Sequence, residues 1–169
     1  KHFCHEGGIS SPLIVRWPAA ISRKNEWVQD PTHVMDLMPT ILSSAGITPS
    51  KERNGAPVIP TEGVSLMPTF SGKSLPERVL GFEHQEARGL RLGDWKLAWG
   101  KRMPEAPQWE LYNLKTDRAE QHNLATDPRH ADQLATLRAE LTVWMEQQGD
   151  QGTVFGQPLR IGEPVTLFT

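Results

Sequence analysis

Hydrophobic and polar positions change their period several times along the chain, and each change marks an element. Ser11-Pro12-Leu13-Ile14-Val15-Arg16-Trp17-Pro18 is a short apolar run closed by proline, the pattern of a buried strand. From Glu26 to Met35 an extended stretch is expected. Leu37, Met38, Ile41, Leu42 and Ala45 then recur at helical spacing, which predicts a helix over 37–45 with this face in the core. Asp36 offers the N-cap, Pro39 falls in the first turn, where backbone N–H groups lack intrahelical acceptors, and Gly46 supplies the stop.

Thr48 to Pro60 mixes Pro, Gly and charge without either period and reads as a loop and a lobe boundary. Leu66 to Phe70 suggests a brief helical turn. Three strand-like runs follow: Val79 to His84, Gly89 to Trp99 broken by a tight turn at Gly93-Asp94, and Trp109 to Leu114. Their spacing predicts an antiparallel meander of three or four strands. Asp127-Pro128 is a helix start, and Leu134, Leu137, Leu141 and Trp144 form one apolar stripe that must cover a sheet face. Beyond Gly149 the Gly- and Pro-punctuated tail to Thr169 has no period and is expected to lie along the surface.

Composition agrees with a turn-rich α/β lobe. The 169 residues include 14 Gly and 14 Pro, an excess that argues against a helical bundle. A formal charge of -2 excludes the basic bias of a nucleic-acid domain. No apolar run approaches the ~18–20 residues of a membrane span. The single cysteine, Cys4, cannot close an internal disulfide and leaves the redox compartment open. Lys1-His2-Phe3 carries no initiator Met and no leader, so the sequence is expected to be a piece of a longer polypeptide.

Local chemistry is sparse. There is no H-E-x-x-H, no paired cysteine and no calcium-loop order; His2 and His5 could converge on one ion, but two His three apart beside a loop usually serve as polar groups. G-x-S-x-G is absent, and Glu6-Gly7-Gly8 lacks the Lys-Ser/Thr of a phosphate cradle. What remains is a scatter of cations: Lys1, His2, His5, His84, Arg88 and Arg91. Lys and Arg beside a low-dielectric pocket can hold a tetrahedral oxyanion; each of these residues taken singly reads first as a solvated surface group.

The order of several blocks carries further. Lys1-His2-Phe3-Cys4-His5-Glu6-Gly7-Gly8, running on to Pro18, resembles the lysine-to-Glu-Gly-Gly segment of the type I, formylglycine-dependent sulfatases, the arylsulfatase family. His33-Val34-Met35-Asp36-Leu37-Met38-Pro39-Thr40-Ile41-Leu42 is similar to the family's strand-to-helix stretch, and Glu62-Gly63-Val64-Ser65-Leu66 to the turn beyond it. Phe82-Glu83-His84, Gly93-Asp94-Trp95-Lys96-Leu97 and Trp109-Glu110-Leu111-Tyr112-Asn113-Leu114 keep the family order, followed by Asp117, Glu120, Asn123 and Leu124. The resemblance covers roughly residues 1 to 148.

It implies an α/β fold: the C-terminal part of an alkaline-phosphatase-like sandwich, ending in a small antiparallel sheet packed on a C-terminal helix. Residues 1–50 would be the last strand and helix of the large catalytic domain, 51–150 the small C-terminal subdomain, and 151–169 an irregular tail. Lys1 maps onto a catalytic lysine that contacts the sulfate oxygens. His84 and Arg88 are expected to bind substrate, although Gln85-Glu86-Ala87-Arg88 departs from the family's usual Glu-Gly-Asn-Arg. The nucleophile, a formylglycine made from the Cys or Ser of C-x-P-x-R, and the calcium carboxylates are expected upstream, since Cys4 is followed by His5-Glu6-Gly7-Gly8. Neither formylglycine nor calcium is thus expected on this chain, which carries no metal ligands of its own. The implied partners are a sulfate-ester substrate, aryl or carbohydrate, and the missing N-terminal part of the same protein; a homo-oligomer is compatible. Alternatives are a phosphonate or phosphate monoester hydrolase of the same superfamily, and a non-catalytic association module. Periplasmic, secreted and cytoplasmic locations all stay open.

Overall fold

A computed structural model describes residues 3–23, 25–84, 87–100 and 108–149, together with the backbone at 153–154 and 157–158. The chain forms two compact units, Lys1–Pro12 with Glu77–Thr169, and Leu13–Pro76. No described helix is long and apolar enough to cross a membrane.

In the first unit a one-turn helix, α1 (Glu6–Ile9), precedes the sheet in sequence. The sheet is the expected meander, one strand richer than the three runs because the Gly93-Asp94 turn splits the middle one. Its strands are β3 (Val79–His84), β4 (Ala87–Leu92), β5 (Trp95–Gly100) and β6 (Gln108–Asn113), hydrogen-bonded in that order and antiparallel throughout. The turn is a two-residue loop closed by the Leu92↔Trp95 pair, and Gly93 takes the positive φ of 57° that an L side chain resists. Asp127 opens the last helix as expected: its carboxylate accepts the Arg129 N–H, residues 128–130 make a 3-10 turn, and α4 (Ala131–Gln147) follows.

Alternation along each strand gives the sheet two different faces. Leu90, Leu97 and Leu111 project to one side, where they close a core with Leu137, Leu141 and Met145 of α4. Leu134 and Trp144, the rest of the predicted stripe, pack at its margin. Trp144 lies so close to β3 that any Cβ at Gly81 would overlap the indole, so the glycine sets the distance between helix and sheet. The outer edge of β6 is occupied by Asn123, whose side-chain oxygen accepts the Leu111 N–H at 3.0 Å while its amide donates to the Trp109 carbonyl at 3.3 Å.

The second unit contains α2 (Leu37–Ser44), a two-stranded hairpin of β1 (Glu52–Arg53) and β2 (Ala56–Pro57), and the short α3 (Met67–Phe70). A 3-10 turn over Val34–Asp36 precedes α2, and Gly46 ends it at φ 67°. Asp36 stands at the predicted cap position, yet its carboxylate points back: Oδ2 accepts the His33 N–H at 2.8 Å and Oδ1 accepts the Val64 N–H at 2.9 Å. Thr40 donates to the Asp36 carbonyl and accepts the Leu66 N–H at 2.8 Å, fixing the 62–66 turn to the helix start. Gly63 passes over the Met35 carbonyl with no room for a side chain.

Three expectations fail in this unit. Residues 10–17 form no strand, and Ile14 is 89% exposed. A strand needs a neighbour's backbone to satisfy its own N–H and C=O groups, and no described strand runs beside this one. The apolar face of α2 is not core either: Leu37, Met38 and Ile41 are exposed, since among the described elements it is chiefly the preceding 3-10 turn and the short α3 that pack on the helix. Finally, the supposed loop at 48–60 holds the β1–β2 hairpin, turned by Asn54 and Gly55 at φ 52° and 79°, the two positive values that a tight hairpin turn requires. In the tail, Thr153–Val154 pairs with Gln157–Pro158.

Candidate functional site

The face of the sheet turned away from α4 is polar where it should be apolar. Lys96, on β5 between Trp95 and Leu97, is fully buried there. Its ammonium lies 3.3 Å from Glu6 Oε1 and 3.6 Å from Glu120 Oε1, and 5.5 Å from the centre of the Phe82 ring. The Glu6 backbone N–H donates to Glu120 Oε2 at 2.7 Å, and Arg118 stands 3.4 Å from Glu6 Oε2. Lys96, Glu6 and Glu120 thus form a buried cluster of charges with the exposed Arg118 at its rim, and removing one buried member of such a set typically costs about 3–5 kcal/mol.

A second tie lies beside it. His5 Nε2 is 2.9 Å from Glu110 Oε2, the same oxygen that accepts the Tyr112 hydroxyl. Register puts Glu110 opposite Ala98 and Tyr112 opposite Lys96, so both share the Lys96 face. The third tie is steric: Cys4 packs over Gly89, where an added Cβ would come within 2.8 Å of the Cys4 Cβ. Burial raises the Cys4 thiol to about 11, with the Lys96 charge partly opposing it. A buried thiol held protonated at neutral pH is a packing group rather than a nucleophile.

The predicted site residues fall in different places. Lys1 and His2 lie outside the described residues. His84 is exposed at the end of β3, on the Lys96 face. Arg88 pairs across the strands with Glu83, which sets it on the opposite face; it is buried, with its guanidinium 6.0 Å from the centre of the Trp99 ring. Arg91 is half-buried on the Lys96 face, where burial lowers its guanidinium below the ordinary value and Nε donates to the Gly93 carbonyl at 3.1 Å. His5 is taken up by Glu110.

Lys96, Glu110, Arg118 and Glu120 are thus members of the site that motif reading leaves aside. The signal for Lys96 was present, since a lone lysine inside Trp95-Lys96-Leu97-Ala98-Trp99 demands a carboxylate partner if both sheet faces are covered.

Among the described residues no three His, Cys, Asp or Glu side chains gather as a metal site. The serine form of the formylglycine pattern, S-x-P-x-R, does occur at Ser74-Leu75-Pro76-Glu77-Arg78. Ser74 is exposed on a stretch without regular structure.

Comparison with known proteins settles what such a sheet, helix and anchored N-terminal segment belong to. The family described as N-sulphoglucosamine sulphohydrolase, C-terminal, matches residues 1–147. The chain belongs to the sulfatase family. An uncharacterized sulfatase of Schizosaccharomyces pombe is 32% identical over 99% of this chain and 30% of its own length. The choline-sulfatase of Rhizobium meliloti is 32% identical over 79% of this chain and 25% of its own. A solved Bacteroides thetaiotaomicron structure described as a sulfatase superposes with a TM-score of 0.51 at 30% identity, covering 69% of this chain and 25% of that one. This sulfatase sequence therefore spans less than a third of the length of these relatives, and it carries an α/β, antiparallel-sheet part of the alkaline-phosphatase-like fold.

Proposed function

We propose that the full-length protein hydrolyses sulfate esters, of aryl or carbohydrate alcohols, to the alcohol and sulfate, and that this region supplies a sulfate-contacting lysine and part of the substrate pocket. The observation that carries the reading is the colinear sulfatase match over residues 1–147, which includes the lysine five residues before Glu6-Gly7-Gly8. On this reading residues 1–50 complete the large catalytic domain, residues 51–150 form the small subdomain and residues 151–169 are its tail.

Lys1 is the chain's own contribution to the chemistry. Cleavage of a sulfate ester spreads negative charge over oxygen atoms, and a fixed ammonium stabilises that charge more in the transition state than in the ground state. His84 and Arg88 help choose the alcohol portion. Because β3 and β4 turn them to opposite faces, the two are expected to act unequally, with the exposed His84 shifting substrate preference more on replacement by Ala than the buried Arg88.

In the full-length protein Lys1→Ala should lower kcat by ~10²–10³-fold, the usual loss for one charge-stabilising donor. An unchanged kcat removes Lys1 from the mechanism. The 169-residue chain by itself is expected to show no turnover of an aryl sulfate. Sustained hydrolysis that vanishes in Ser74→Ala would instead make Ser74-Leu75-Pro76-Glu77-Arg78 the working motif.

A further inference from the structure

We propose that Lys96 is a positioning residue for the sulfatase reaction: through Glu6 and Glu120 it fixes the segment that carries Lys1. The proposal rests on the reading of Lys1 as the sulfate-contacting group. Three successive residues after Phe3 are each held by a different strand of the sheet or its following loop. Cys4 is seated on Gly89 of β4, His5 on Glu110 of β6, and Glu6 on Lys96 of β5 and on Glu120. Lys1 stands three positions before Cys4, and at ~3.3–3.6 Å per residue a chain of that length spans at most about 11 Å.

Stability alone does not account for the arrangement. A buried ion pair is generally no better for stability than apolar side chains of the same volume, and Leu or Met at 96 would continue the apolar strand. What an ammonium adds is direction, since it must sit between the two carboxylates. Glu120 gives independent support. It holds φ at 54°, a left-handed conformation that a non-glycine residue keeps only when its surroundings over-determine it. That backbone is held where the Glu120 carboxylate reaches both the Lys96 ammonium and the Glu6 N–H.

The test is a double-mutant cycle in the full-length protein, with Lys96→Met and Lys1→Ala made singly and together and kcat and KM read separately on an aryl sulfate. Lys96→Met is expected to keep KM near wild type and to lower kcat on the order of 10–100-fold, as a reacting group displaced by about 1 Å does. On the Lys1→Ala background it should lower kcat no further, because the two residues act as one unit. Should Lys96→Met fail to fold, Glu120→Gln replaces it: this variant keeps an acceptor for the Glu6 N–H and loses the charged oxygen that faces Lys96, with a smaller kcat loss and the same non-additivity expected. Additive losses, or an unchanged kcat in the folded variant, overturn the proposal while leaving Lys1 in place. No loss from Lys1→Ala overturns both.

Discussion

The two compact units have apolar faces of similar promise in sequence and opposite fates in the fold. In the first, the α4 stripe meets Leu90, Leu97 and Leu111, and all three of these, with Leu137 and Leu141, are fully buried. In the second, Leu37, Met38 and Ile41 line up just as regularly on α2, and all three stay exposed together with Leu13, Ile14, Val15, Trp27 and Val34. Periodicity specifies that a face is apolar; it does not specify what covers it. The first unit carries both halves of its core within 77–149. The second carries one half, and its large apolar side chains stay in solvent. The part of a sulfatase that this sequence does not span is the cover we propose.

Substitutions should separate the units sharply. Leu137→Ala opens a cavity in a closed core and should destabilise the sheet and α4 by about 2–5 kcal/mol, seen as a lowered midpoint in urea. Ile41→Ser, the same kind of change on α2, should alter the stability of the 169-residue chain by less than about 0.5 kcal/mol. Its cost should appear only in the full-length protein, where the lost burial is worth roughly 1.5–3 kcal/mol. Equal costs for Ile41→Ser in both settings would mean that α2 already has its partner here.

The smallest effect sharpens the comparison within the first unit. Hydrogen bonds from the Arg129 side chain and backbone pull the Asp127 carboxyl down to about 2, below the ordinary aspartate range. A depressed carboxylate contributes stability that is complete above the unfolded value and is lost as pH falls through the folded one. The Tm difference between wild type and Asp127→Asn should therefore be full at about pH 5, mostly lost by about pH 2 and gone near pH 1. A difference independent of pH would show that the cap acts without its charge.

How much of this was legible in the sequence follows the same division. The meander and its covering helix were readable because their signals are local: strand alternation, a Gly-Asp turn, an Asp-Pro start and a stripe at helical steps. The Asn54-Gly55 hairpin was equally local and was hidden by the surrounding prolines and charges, which read as loop. Leu13 to Val15 reads as a strand because its apolar content is real, while the strand it would pair with is not among the described residues. Lys96 marks the limit from the other side. Its partners Glu6 and Glu120 lie far from it along the chain and converge only once β5 and α1 are in place, so no spacing rule finds them.

Amide hydrogen exchange on the 169-residue chain tests the central claim most directly, because it reads both units in one sample. Residues 79 to 145 should be strongly protected, outside the turns, and residues 10 to 46 weakly protected, with protection of the latter rising in the full-length protein. Equal, strong protection of both regions in a monomeric 169-residue chain would contradict the account: it would show a self-sufficient lobe, as expected of an independent association module and not of a region built to be covered.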